Sequence, residues 1–260
     1  MQAAAQTEGA KSAVGAARPC RYGAAQTARV ESIVDGRGLR LADGREVRLA
    51  GIEVPPLPRP GDSGAADATG RAAQAALAAL VAGQPVVLRN LPAKPDRYGR
   101  FPALVFAGSD QRLVQEALLA QGQALVGVSG DPACRAALLA AEREARRGQL
   151  GLWADPYYDL KQADNPAGIL LARGRFALVE GKVVSVRESG STIYVNFGRR
   201  WSDDFTVTIL KRNERLFSAS GLAPKTLGGR RVRVRGWVEE RGGPWIEAIR
   251  PEQIEIAEGN

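Results

Sequence analysis

The tightest constraint on the fold lies in residues 27–52, where three short strand-like runs follow one another. Ala28, Val30, Ser32 and Val34 alternate with Arg29, Glu31 and Ile33. Leu39-Arg40-Leu41 then runs into Asp43-Gly44, and residues 46–52 follow. Period-two alternation sends successive side chains to opposite faces of a sheet, and Asp-Gly supplies the positive-φ positions of a tight hairpin. Three sheet strands are expected here. The run Pro55-Pro56-Leu57-Pro58-Arg59-Pro60-Gly61 must then leave the sheet. Ala73, Leu77, Leu80 and Val81 share one face of an Ala-rich helix that Gly83 ends. Residues 86–88 and 103–106 give two further strands, and residues 113–120 a short helix. Asp131 and Pro132 open a third helix, striped by Leu138, Ala141 and Ala145 and stopped at Gly148.

The second half is strand-dominated. Residues 176–186, 192–197, 205–209, 231–238 and 244–249 read as strands, with one helix-like segment at 212–220 between the third and fourth. Five strands with a helix in that place follow the order of an OB-type barrel. The expected organisation is an irregular extension over 1–26, a first domain over 27–154, a polar linker or docking segment over 155–174 and an OB-like domain over 175–257. The fold class expected is mainly β with α: two OB-type five-stranded barrels, the first with three helices and the second with one short helix.

Chemistry is narrowed by what the chain lacks. There is no histidine, which removes His-based triads, His general bases and most transition-metal sites. Two cysteines, Cys20 and Cys134, do not suffice for a thiolate zinc site. They form either a disulfide that ties down the extension or two separate thiols. Net charge is +8, and sixteen Lys/Arg face ten Asp/Glu over residues 172–257. That balance suits an anionic polymer or an acidic protein surface as partner, or a merely solvated surface. No apolar run is long enough to span a membrane. The chain opens on Met1-Gln2-Ala3 without a basic then apolar leader, and Met1 is its sole methionine. An exported protein, periplasmic or extracellular, is expected, with the cytoplasm as the alternative.

Two motifs carry a family resemblance. Val34-Asp35-Gly36-Arg37-Gly38 with residues 47–56, and Asp96-Arg97-Tyr98-Gly99-Arg100, resemble the thermonuclease (staphylococcal-nuclease-like) family. The resemblance covers residues 27–153. It implies a barrel with helices, and calcium-dependent hydrolysis of DNA and RNA. It also implies two Asp metal ligands, a Glu that positions water, and two Arg that grip the phosphate. The Arg positions match Arg48 and Arg100, and Asp96 and Tyr98 match the second motif. The acids do not match: Arg37 stands at one metal position, Glu53 at the other and Pro56 at the water-activating one. A guanidinium 4 Å from a divalent cation is repelled by roughly 8 kcal/mol at an effective dielectric of 20. No metal and no cofactor are therefore expected. Were the nuclease alternative to hold, calcium would rest on Asp35 and Glu53, catalysis on Arg48, Glu53 and Arg100, and a further acid would come from Glu46, Asp62 or Asp67. Arg48 and Arg100 otherwise grip a phosphate or join an Arg–Glu53 network that holds the barrel, and Tyr98 stacks on a base or closes its loop.

In the second domain, Arg199, Arg200 and Trp201 follow Tyr194 and Phe197 closely, and Arg231, Arg233 and Arg235 form a basic strand ending at Trp237. Aromatic rings beside guanidinium groups suit single-stranded nucleic acid. Alternation sends Val232 and Val234 inward and the three Arg, with Trp237, to solvent. The competing reading has Phe197, Phe205 and Trp245 filling the barrel and the Arg paired to Glu239, Glu240 or Glu247. The function expected is a non-catalytic binder of nucleic acid or another anionic polymer. The alternatives are a divergent calcium nuclease and an envelope protein-interaction scaffold.

Overall fold

A computed structural model of the chain describes Cys20 and residues 22–57, 65–200 and 202–257. Of the extension expected over 1–26, residues 1–19 and 21 lie outside the described residues. The first half holds β1 (Gln26–Ala28), β2 (Val30–Asp35), β3 (Gly38–Leu41), β4 (Glu46–Leu49), β5 (Ile52–Glu53), β6 (Val86–Arg89), β7 (Arg100–Ala107), β8 (Arg112–Leu113) and β9 (Leu125–Val126). Its helices are α1 (Ala65–Val81), α2 (Val114–Ala120) and α3 (Arg135–Arg147). The second half holds β10 (Lys161–Gln162), α4 (Pro166–Leu170), β11 (Phe176–Lys182), β12 (Ser185–Ser189), β13 (Thr192–Asn196), β14 (Thr206–Leu210) and α5 (Glu214–Ala219). It ends with β15 (Arg231–Trp237), β16 (Glu239–Arg241), β17 (Gly243–Glu247) and β18 (Ile254–Ile256).

Both halves use the same wiring. In each, a three-stranded antiparallel meander (β2-β3-β4, β12-β13-β14) ends in a strand that pairs in parallel with a later one, β7 or β17. The sheets run β1-β6-β7-β4-β3-β2 with β8 on β7, β12-β13-β14-β17-β16, β10-β11-β15-β18 and β5-β9. The protein is thus mainly β with five α-helices and several sheets, none of them closed among the described residues. Three helices fall in the first half as expected.

The second half carries α4 besides α5, and α4 lies inside the segment expected to be a linker. That segment folds because it is not uniformly polar. Ala163, Ile169 and Ala172 are buried in the second core, and β10 pairs in parallel with β11. Asn165 caps α4 by accepting a hydrogen bond from the Gly168 N–H.

Burial follows the alternation. Leu39, Leu41, Val47 and Leu49 point into the first core together with Leu77 and Val81 of α1. Gly36 lets the β2–β3 turn rest on α1, because a Cβ there would lie 2.7 Å from the Ala73 Cβ. Cys20 and Cys134 form a disulfide with their Cα atoms 4.4 Å apart, tying the chain ahead of β1 to the start of α3.

The two halves are packed against each other. Leu125, Ala145, Leu152 and Trp153 of the first meet Phe176 and Leu178 of the second in one buried cluster. Beside it the Arg235 guanidinium, 1% exposed, reaches out of β15 into the first half. Its Nη2 donates to Glu142 Oε2 at 2.9 Å and its Nη1 to the Val126 carbonyl at 3.0 Å, while Glu255 completes the ion pairing. Burial alone would pull this guanidinium down. The charges of Glu142 and Glu255 outweigh burial and raise it above its ordinary value.

Candidate anion-binding site

The β2–β3 turn delivers Asp35 and Arg37, β4 delivers Arg48, β5 Glu53 and the start of β7 Arg100. The Arg37 guanidinium pairs with Glu53, and its Nη1 donates to the Ile52 carbonyl at 2.7 Å. Both side chains are largely buried. The turn is set by Asp35, whose Oδ1 accepts from the Arg37 N–H at 2.8 Å. The other oxygen of Asp35 lies 3.5 Å from Arg48 Nη1. Arg48 is held below its ordinary value, first by burial and then by the Arg37 charge, with Asp35 opposing.

Arg100 closes the second motif on itself. Its Nε and Nη2 donate to Asp96 Oδ2 at 3.2 and 3.0 Å, while Asp96 Oδ1 accepts from the N–H groups of Tyr98 and Arg100. Desolvation pushes Asp96 up, but these bonds together bring it below the usual carboxylate value. Tyr98 stands out at 64% exposure, with the guanidinium groups of Arg97 and Arg100 at 4.9 and 4.6 Å from its ring centroid.

A hard cation needs several oxygen ligands converging on one point. Here Glu53 is taken by Arg37, Asp35 faces Arg48, and Pro56 offers no side-chain oxygen. Among the described residues no group of three or more His, Cys, Asp or Glu side chains could hold a metal ion. The residues present do not fit calcium. Asp62 and the side chain of Asp67, named as substitute acids, lie outside what the structure describes; Glu46 faces Arg40 instead.

The basic strand departs from expectation. Val232 and Val234 are buried as the alternation requires, but the opposite face of β15 does not simply meet solvent. Arg235 is buried against the first half, which corrects its assignment to a solvent-facing binding surface. Arg231 and Arg233 both pair with Glu180 on the neighbouring β11, a partner that strand register rather than sequence proximity supplies. Trp237 remains 51% exposed, edge-on to Phe176. Phe197 and Phe205 are buried, their ring centroids 4.9 Å apart, as the core-filling alternative has it. Trp201 lies outside the described residues.

Arg199 and Arg200 are exposed, and neither guanidinium has a hydrogen bond or ion pair among the described residues. Arg199 borders a groove of about 640 Å³ along β12 and β13, lined also by Val184, Ser185, Arg187, Tyr194 and Asn196. Arg187 and Asn196 were not singled out, and Tyr194 only as part of the run ending at Trp201, although one signal exposes all three. With Ile193 and Val195 pointing inward, Tyr194 and Asn196 must point out, and Arg187 sits opposite Tyr194 in register. Trp245 belongs to this outer face too, not to the core. Its ring centroid lies 6.0 Å from that of Tyr194, and Ile246 beside it points inward.

The arginine-lined turn holds its carboxylates in ion pairs, Glu53 with Arg37 and Asp35 with Arg48. A family model described as Staphylococcal nuclease homologue matches residues 46–155, and these residues are a staphylococcal-nuclease-like domain. The match begins at β4, after the turn that carries Arg37. No curated protein matches the chain.

Proposed function

We propose that this protein binds a nucleic acid or similar anionic polymer without cutting it. In this reading both halves are OB-type, the first a degenerate nuclease domain. The observation that carries it is the Arg37 guanidinium, paired to Glu53 where the family resemblance calls for metal-binding acid. A positive charge replaces a negative one and consumes the remaining carboxylate, so calcium has neither ligands nor a favourable field there. The net charge of +8 and Arg199 and Arg200, which have no ion pair among the described residues, supply attraction for a polyanion. The disulfide accords with an oxidising compartment, and no helix among the described residues is long and apolar enough to cross a membrane.

The test combines cleavage with binding. Single- and double-stranded DNA and RNA are incubated with calcium or chelator, and binding is titrated against salt. No cleavage with steeply salt-dependent binding is expected, because each neutralised phosphate releases counterions. Calcium-dependent cleavage lost in Arg48→Ala would establish the nuclease alternative. If the protein binds none of these polymers, the scaffold alternative takes its place.

A further inference from the structure

We infer that the groove along β12 and β13 is a binding site for single-stranded nucleic acid, with one base held against Tyr194 and the flanking phosphates on Arg187 and Arg199. This deepens the polymer-binding reading and rests on it.

The arginines decide the location. Arg37, Arg48, Arg100, Arg231, Arg233 and Arg235 all face carboxylates within the protein. A phosphate approaching any of them must compete with a bound acid. Arg187 and Arg199 are exposed and have no hydrogen bond or ion pair among the described residues. The groove's own acid, Glu188, is held by both Lys211 and Lys225, so its charge is more than balanced.

The lining then selects the ligand. Tyr194 is half-buried: Trp245 props it edge-on, and the groove lies beside it. Val184, 50% exposed, adds an apolar wall. Asn196 is buried, with its amide nitrogen on Ser185 Oγ at 3.3 Å and its oxygen accepting from Thr206 at 3.4 Å. Each end of that amide keeps one further bonding position, so it can read both a donor and an acceptor on a flat ring. Apolar surface, an aromatic ring, a two-way amide and unpaired cations at the rim describe a base with its backbone, not a bare polyphosphate. A duplex hides its base faces in the stack and cannot offer one to Tyr194.

The experiment uses the full chain with fluorescein-labelled oligo-dT, a duplex of equal length and inorganic polyphosphate. Variants are Arg187→Ala/Arg199→Ala and Tyr194→Leu, with thermal melting as the folding control. Oligo-dT is expected to bind more tightly than duplex or polyphosphate. The double Arg variant should lose at least tenfold in affinity and flatten the salt dependence, and Tyr194→Leu should lose about tenfold at unchanged salt dependence. Should Tyr194→Leu not fold, Asn196→Asp replaces it, with the same loss expected from the added charge. Oligo-dT binding unchanged in every folded variant would overturn the groove while leaving the polymer reading intact. Polyphosphate binding as tightly as oligo-dT, indifferent to Tyr194, would overturn the base contact. No binding of any polyanion would overturn both.

Discussion

The two halves of this molecule share a wiring, and one arginine cluster in each is treated in the opposite way to the other. In the first half the guanidinium groups of Arg37, Arg48 and Arg100 turn inward on Glu53, Asp35 and Asp96. Along β12 and β13 of the second, Arg187 and Arg199 stand beside a groove without an ion pair among the described residues. The first arrangement is close to electrically closed, and the second is open to an anion. Counting basic residues along the chain does not distinguish them. What does is whether strand register or a turn brings a carboxylate within reach.

The largest expected effect tests the closed side at its extreme. Glu142→Gln leaves the Arg235 guanidinium buried at the contact between halves with one of its two carboxylates gone. A loss of about 3–5 kcal/mol in unfolding free energy is expected, measured by urea titration. An unchanged midpoint would mean that Arg235 does not depend on its ion pair. Arg235→Met with Glu142→Leu should recover most of the loss, since matched apolar groups avoid the buried charge.

A second, smaller effect compares the halves directly. Arg48→Ala and Arg100→Ala should each change oligo-dT affinity by less than about threefold, because single well-paired surface charges have little left to give a ligand. A tenfold loss in either would move the binding site to the first half and break the contrast.

The smallest effect is a pH dependence. Desolvation raises Glu180, but its hydrogen bonds and charge contacts with Arg231 and Arg233 bring it below its ordinary value of 4.5. Its contribution is therefore complete above that value and is lost as pH falls through the lower folded value. Glu180→Gln should cost less than about 1 kcal/mol at pH 7 and nothing near pH 2. Urea midpoints at the two pH values check it, and an equal cost at both would show that packing rather than charge is lost.

Much of this was legible in the chain. Strand alternation located the strands of both halves and buried Val232 and Val234 as read, and Gly83 and Gly148 ended their helices. The expected helix at 212–220 is present as a short turn and α5. The Asp96–Arg100 motif was legible because it is a local loop whose bonds run between residues four apart or fewer. Segment 155–174 was not legible as folded, since its apolar residues show no period and find their place only against the second core and the edge of β11.

By itself, then, the sequence determined which residues alternate, where turns fall and that histidine chemistry is absent. Only the tertiary structure decided what each arginine does. Arg235 follows the same alternation as Arg231, yet it lies buried because the first half docks on that end of β15 and brings Glu142 from 93 residues away. Alternation fixes the face of a sheet. What covers that face is a matter of long-range packing, and for a charged side chain the cover decides between a partner inside the protein and one outside it.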